Sequence, residues 1–399
     1  MSWTAKRLDQ LGTVSRGRSR HRPRDAAHLY GGPHPFIQTG DVKHAGLYIN
    51  SFSQTYTEAG LAQSKLWPVG TLCITIAANI ADTAILGIDA CFPDSVIGFI
   101  ADPAQADTRF IKYLFDATIK NRAQQFSQGA TQDNLSQEKL LSLEFAIPSV
   151  AEQKRIAEIL SAYDDLIDNN RRRMALLEDS ARQLYREWFV RLRFPGHEHT
   201  PSVDGVPQGW ERRTAFDSMQ VLSGGTPKTS ISDYWDGETP FFTPKDAVDG
   251  IWVSSCERSL TELGIKNCNS KLYPRETVFI TARGTVGKLN MAQTPMAMSQ
   301  SCYALVAKDH LSQRFIYSAM KEGVEALRQQ AVGAVFDAIV VDTFKRIHLI
   351  VPTATVLRMF DEAVEPVFAQ VENLASQNQK LRQARDLLLP RLMNGELAV

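Results

Sequence analysis

Residues 149–189 read SVAEQKRIAEILSAYDDLIDNNRRRMALLEDSARQLYREWF. Within them Ile156, Leu160, Tyr163, Ile167, Asn170, Met174, Leu177, Ala181, Leu184 and Trp188 follow one another in alternating steps of four and three. That is a heptad seam, the spacing that keeps one apolar stripe turned toward a partner helix. Residues 353–393 carry it again. Adding 204 to each position from Leu160 onward gives Val364, Val367, Val371, Leu374, Asn378, Leu381, Arg385, Leu388 and Leu392. Asn170 interrupts the first copy and Asn378 the second. A polar seam residue costs stability but helps fix register and partner. A helix of about 40 residues, rising ~1.5 Å per residue, runs roughly 60 Å, so two of them packed together would act as a spacer. The seam alone leaves open whether the pairing is internal or with another chain.

The repeat extends beyond the seams. Trp3 opens a segment that Trp210 opens again, 207 residues later. Residues 35–42, PFIQTGDV, match residues 240–247, PFFTPKDA, and residues 64–68, SKLWP, match residues 270–274, SKLYP. Arg109, Phe110 and Ile111 match Arg314, Phe315 and Ile316; Gly129 and Ala130 match Gly333 and Ala334; residues 147–149, IPS, match residues 351–353, VPT. The offset drifts only between 204 and 207, and landmarks in one order at a steady offset are the mark of duplication.

The expected organisation is a globular domain over 1–148, a long helix over 149–193, a linker over 194–209, a second globular domain over 210–352, and a second long helix and tail over 353–399. Each globular part reads as short strands and turns. Residues 69–76, VGTLCITI, and 276–281, ETVFIT, read as buried strands. A helix follows at about 108–125 and again at 311–330. Ser149 and Glu152 form a capping box at the start of the first long helix. Pro366 would kink the second or delay its start. The linker, with Pro195, Gly196, Pro201 and Ser202, reads as a flexible loop. His197, Glu198 and His199 within it lack a fourth partner nearby and read as solvated rather than metal-binding.

The chain has 399 residues, with 44 basic and 44 acidic side chains and no formal net charge. That balance argues against coating nucleic acid through bulk charge, while leaving local patches possible. Cys73, Cys91, Cys256, Cys268 and Cys302 are odd in number and scattered, which suggests neither a disulfide framework nor a zinc site and fits a reducing cytoplasmic location. No apolar run is long enough to span a membrane.

Known catalytic signatures are missing. Residues 284–289, GTVGKL, only approach a phosphate-binding loop: the spacing is wrong and Leu289 stands where a Mg²⁺-binding hydroxyl belongs. There is no dinucleotide fingerprint, no methyltransferase Asn-Pro-Pro box and no nucleophile elbow. These absences favour a binding protein with no catalytic and no metal site.

The plan resembles the specificity subunit of type I restriction–modification systems, over nearly the whole chain. The residues that carry the likeness are 222–227, LSGGTP, with Tyr234 and Trp235, then 280–287, ITARGTVG, and the ending 388–397, LLPRLMNGEL. The first half departs from it: residues 15–20, SRGRSR, and 77–81, AANIA, stand at the two signatures. The resemblance implies an α+β fold. Two target-recognition domains of mixed strands and helices would be separated by two long antiparallel coiled-coil helices, in a tandem pseudo-twofold repeat. It implies that each domain reads half of a split double-stranded DNA site, asymmetric because the two halves differ. It further implies that the helices set the spacing and dock two methylation subunits, and that restriction/translocase subunits join for cleavage. S-adenosylmethionine, ATP and Mg²⁺ would sit on those partners, none on this chain. The seam residues would be Ile156, Leu160, Tyr163, Ile167, Met174, Leu177 and Leu184 against Val367, Val371, Leu374, Leu381 and Leu388.

Candidate DNA-binding residues come from the residues themselves. Arg16, Arg18, Arg20, Arg22 and Arg24 form the densest basic run, suited to phosphates or, in two-bonded geometry, to guanine. In the second half Thr226, Lys228, Tyr234 and Trp235 lie in a turn-rich stretch; the two aromatics suit the core equally well. Lys245, Arg283, Lys288 and Gln300 follow predicted strands, and Gln300 suits adenine. The alternatives are a coiled-coil adaptor that binds only proteins, a self-contained nuclease or methyltransferase, and a specificity subunit serving methylation alone.

Overall fold

In the computed structural model, which describes residues 3–21, 23–77, 81–120, 136–330 and 338–399, the duplication reappears strand by strand. Thr4–Arg7 pairs antiparallel with Glu144–Ile147, and Glu211–Thr214 pairs the same way with His348–Val351. The main sheet of the first half runs, in spatial order, Gly12–Arg16, Val96–Ala101, Leu72–Thr75, Thr83–Leu86, Tyr48–Ile49. That of the second runs Met219–Ser223, Cys302–Ala307, Val278–Thr281, Leu289–Ala292, Trp252–Val253. In both, only the last pairing is parallel. A smaller sheet accompanies each, built on Tyr30–Phe36 and on Trp235–Phe242. The predicted strands begin later than expected, at Leu72 and Val278, because the preceding residues turn.

A helix covers each main sheet. Thr108–Phe115 starts where the Asp107 carboxylate accepts the N–H groups of Arg109 and Phe110 at 2.9 and 3.2 Å, and it passes into a π-helical turn, Asp116–Lys120. Gln313–Gln330 starts where Ser312 Oγ accepts the Phe315 N–H at 3.1 Å. Such caps satisfy orphan donors of the first turn. Phe110 with Ile111, and Phe315 with Ile316, are fully buried. Arg22, residues 78–80, both Gly-Ala landmarks and the expected helical residues 121–125 lie outside the described residues.

The chain divides into two compact units, residues 1–169 with 378–399, and residues 170–377. Both long helices, Val150–Tyr185 and Ala354–Met393, contribute to each unit. Ser149 Oγ accepts the Glu152 N–H at 3.3 Å, starting the first. Within the first unit, Ile156 and Leu160 share a core with Leu388 and Leu392; Asp164 pairs with Arg385; Asn378 Nδ2 donates to Ile167 O at 3.3 Å. Contacts climb one helix as they descend the other, so the two run antiparallel. Within the second unit, Met174, Leu177, Ala181 and Leu184 pack with Val364, Val367 and Val371. Phe360 there meets Tyr185, Trp188 and Phe189 at centroid distances of 6.1, 5.9 and 5.0 Å. Leu374 is buried, and Tyr163 and Leu381 are half-buried. Burying each large apolar side chain contributes roughly 1.5–3 kcal/mol.

Two local expectations fail. The second long helix does not wait for Pro366: it begins at Ala354, and Pro366 sits exposed inside it. The linker is not a loose loop. Phe194 is buried against Trp210 at 4.5 Å, and Ser202–Val203 pairs with Val206–Pro207 across Asp204 and Gly205, whose φ values of 51° and 71° make a tight turn. His197 Nδ1 lies 2.9 Å from Phe194 O, so that histidine serves the linker's own fold.

Candidate nucleic-acid interface

In the first unit the arginine run continues the edge strand Gly12–Arg16 beyond its last paired residue. Gly17 N donates to Val96 O at 2.9 Å and Arg18 N to Phe92 O at 3.0 Å. The backbone alternates: Arg16, Arg18 and Arg20 are exposed, Gly17 and Ser19 buried. Gly17 is required there, since a Cβ would stand 2.3 Å from the carbonyl oxygens of Phe92 and Pro93. Gln63 Oε1 accepts the N–H groups of Arg20 and His21 at 2.6 and 3.0 Å, and Ser64 Oγ donates to Arg18 O at 2.8 Å. Arg16 Nε donates to Asp94 O at 3.1 Å, and Arg24 pairs with the Asp94 carboxylate at 2.8 Å. Arg16 and Arg24 thus brace the loop while Arg18 and Arg20 stand at its exposed face. Lys65 joins them: its ammonium lies 3.6 Å over the Trp67 ring, and burial together with the nearby Arg18 lowers its pKa.

The second unit builds its equivalent with different side chains. Gly225 N donates to Met298 O at 3.1 Å, the counterpart of the Arg18–Phe92 bond, and a Cβ on Gly224 would stand 2.3 Å from Ser299 O. Thr226 Oγ1 donates to Gln300 Oε1 and fixes that amide. Ser299 N donates to Phe242 O at 2.9 Å, and Ala282 N to Ser301 O at 2.8 Å. Thr285 Oγ1 donates to Pro244 O at 3.0 Å. These bonds bring Thr226, Lys245, Arg283 and Gln300, far apart in sequence and all exposed, to one end of the sheet. Lys245 is carried on a turn whose Asp246 accepts Thr243 N–H and Oγ1–H at 2.8 and 2.6 Å.

Three other candidates stand differently. Lys228 is exposed, and its carbonyl accepts Trp235 Nε1–H at 3.3 Å. Trp235 itself is only 6% exposed, packed with Phe241, Leu260 and Ala297, and the Arg258 guanidinium covers its ring at 3.3 Å. It is a core residue that anchors the Lys228 turn, not a surface for bases; Tyr234 is half-buried against the same cluster. Lys288 pairs with Asp249 at 2.7 Å and lines a cleft of about 530 Å³ with Lys321 and Arg328. Sequence reasoning missed Lys65 and its repeat counterpart Lys271, which is exposed beside Ser270, whose backbone N–H packs against Gly225. Both lysines stood inside a repeated landmark, but their place beside the loop depends on strand order.

What the two units share is a main sheet of one topology, with an exposed polar loop held by backbone bonds. The family model for the type I restriction modification DNA specificity domain matches residues 1–179 and 207–356, and the chain belongs to that family. It is 25% identical over 409 residues to the type I restriction enzyme MjaIX specificity subunit of Methanocaldococcus jannaschii, covering 100% of this chain and 94% of that one. It is 23% identical over 432 residues to the HindI specificity subunit of Haemophilus influenzae, covering 91% and 94%. The fold is that of the S subunit of a type I restriction–modification system from M. genitalium, with a TM-score of 0.56 at 15% identity over 98% of this chain and 96% of that one. Among the described residues no helix is long and apolar enough to cross a membrane.

Proposed function

We propose that this chain is the DNA sequence-specificity subunit of a type I restriction–modification complex, each recognition domain reading one half of a bipartite, asymmetric site. The observation that carries the reading is the family match over both repeats, joined to loops of different chemistry at matched backbone positions: Arg16, Arg18 and Arg20 in one, Ser223, Gly225 and Pro227 in the other. Guanidinium groups suit guanine and phosphate; a Thr-held glutamine suits adenine, offering both an acceptor and a donor. The paired helices set the spacing and dock two methylation subunits. Those subunits hold S-adenosylmethionine, and restriction/translocase subunits bring ATP and Mg²⁺ chemistry. This chain itself binds and positions without catalysing.

The test is a methylation map. The chain is co-expressed with its cognate methylation subunit and the host DNA is sequenced for modified adenine. A two-part asymmetric motif with a fixed gap supports the reading. A short continuous motif, or no new methylation despite a stable complex, overturns it. Cleavage assays with and without a restriction subunit then separate a full restriction system from one serving methylation alone.

A further inference from the structure

The duplicated helices differ at one partly buried cluster. In the first unit Asp164, only 7% exposed, accepts the Tyr113 O–H at 2.5 Å and pairs with Arg385 of the second long helix. Burial works against the Arg385 charge, but Asp164 and Asp386 outweigh it and raise its pKa. At the helix offset of 204, the repeat counterparts of Asp164 and Arg385 are Phe368 and Ala181; at the offset of 205 that holds for Arg109 and Arg314, Tyr113 becomes Ser318. Those three residues border a cavity of about 230 Å³ in the second unit. One half fills this position with an ion pair; the other has Phe368 and Ala181 there, beside a cavity that Glu178, Asp179, Arg182 and Lys321 also line.

We infer that the Asp164–Arg385 pair is a selectivity device that makes the first long helix accept the second and reject a copy of itself. Two first helices in the same antiparallel register would set Asp164 against Ala181. Two second helices would set Arg385 against Phe368. Two first helices would bury two Asp164 carboxylates with no cation, and two second helices would leave each half-buried Arg385 only the Asp386 of its own helix; a buried charge without its partner is strongly unfavourable. A second mismatch points the same way. Arg182 pairs with Glu322 and Glu325, and Arg186 with Glu322 at 2.8 Å. The counterpart of Glu322 is Ala117, and the counterparts of Arg182 and Arg186 are Asp386 and Pro390. A first helix docked in the other's place would strand both arginines.

The test uses full-length chains carrying two different affinity tags, co-expressed, nuclease-treated and captured through one tag at high salt. Light scattering reports mass, and circular dichroism reports folding. Wild type is compared with Asp164→Phe, Arg385→Ala and Tyr113→Ser together, which copies the three second-unit residues into the first. It is also compared with Asp164→Asn plus Arg385→Gln, which removes both charges while keeping polar side chains at the two positions. Exchange of unlike helices keeps the same contacts in every chain and cancels in the comparison. The expected result is a severalfold rise in the co-captured second tag, and a species of doubled mass, in both variants. Folded variants that capture no more than wild type would overturn the inference.

Discussion

Arg18 and Arg20 are exposed while their backbone N–H groups are fixed, so their side chains can be removed without undoing the loop. Replacing both with alanine is expected to weaken binding at the first half-site only. If both contact phosphates, the slope of log affinity against log salt falls by roughly 2, since each contact contributes about 0.9. If either reads guanine, discrimination at one base pair falls by about 1–3 kcal/mol instead. Salt titrations on sites altered one half at a time separate the two cases. Gln300→Ala is expected to relax preference at one position of the second half-site by a similar ~1–3 kcal/mol, measured by competition between adenine and its replacements. At this scale the sequence is half legible. The arginine run announces itself by density, but Thr226, Lys245, Arg283 and Gln300 meet only because strands far apart in the chain lie side by side. Trp235 was ambiguous from sequence because an aromatic beside a turn suits either the surface or the core.

At the scale of the element, the long helices were the most legible feature, because a heptad period survives whatever the helix packs against. Pro366 misled, since its missing N–H is tolerated where it faces outward. The linker hairpin has its own signal, Asp204-Gly205 between Val203 and Val206, set among prolines that favour a loop. Arg385→Ala is expected to leave Asp164 buried without its cation and lower the melting temperature by roughly 10 °C; charge removal at exposed Glu362 serves as a control within a degree or so. Glu178 gives a prediction of opposite sign. Burial raises its pKa, although Ile251 N–H, donating at 3.1 Å, works the other way. A raised carboxyl pKa means the folded state holds the proton more tightly than the unfolded one. No penalty exists below the unfolded pKa, and the penalty is complete above the folded one. Glu178→Gln is therefore expected to stabilise the protein at neutral pH, with the gain fading as pH falls toward 4.5, the ordinary value of the carboxyl group. Melting curves at several pH values check it.

At the scale of the whole molecule, duplication accounts for the economy of the design: one sheet topology used twice with two loops of unlike chemistry. With 44 charges of each sign, affinity for DNA must come from local clusters rather than from the field of the molecule. Exchanging residues 1–148 for the same domain of a relative is thus expected to change one half of the methylated motif and leave the other half and the gap untouched, as sequencing of modified adenine would show.

The bonds from Arg18 N to Phe92 O and from Gly225 N to Met298 O involve no side chain of the loop. At Arg18 and Arg20 mutation can therefore change the exposed side chain without removing the bond that holds the backbone, because that N–H belongs to every amino acid but proline, whereas Gly17, Gly224 and Gly225 have no room for a side chain. What the first loop offers to DNA can thus change one side chain at a time, at Arg18 or at Arg20, while the strand that carries it keeps its place.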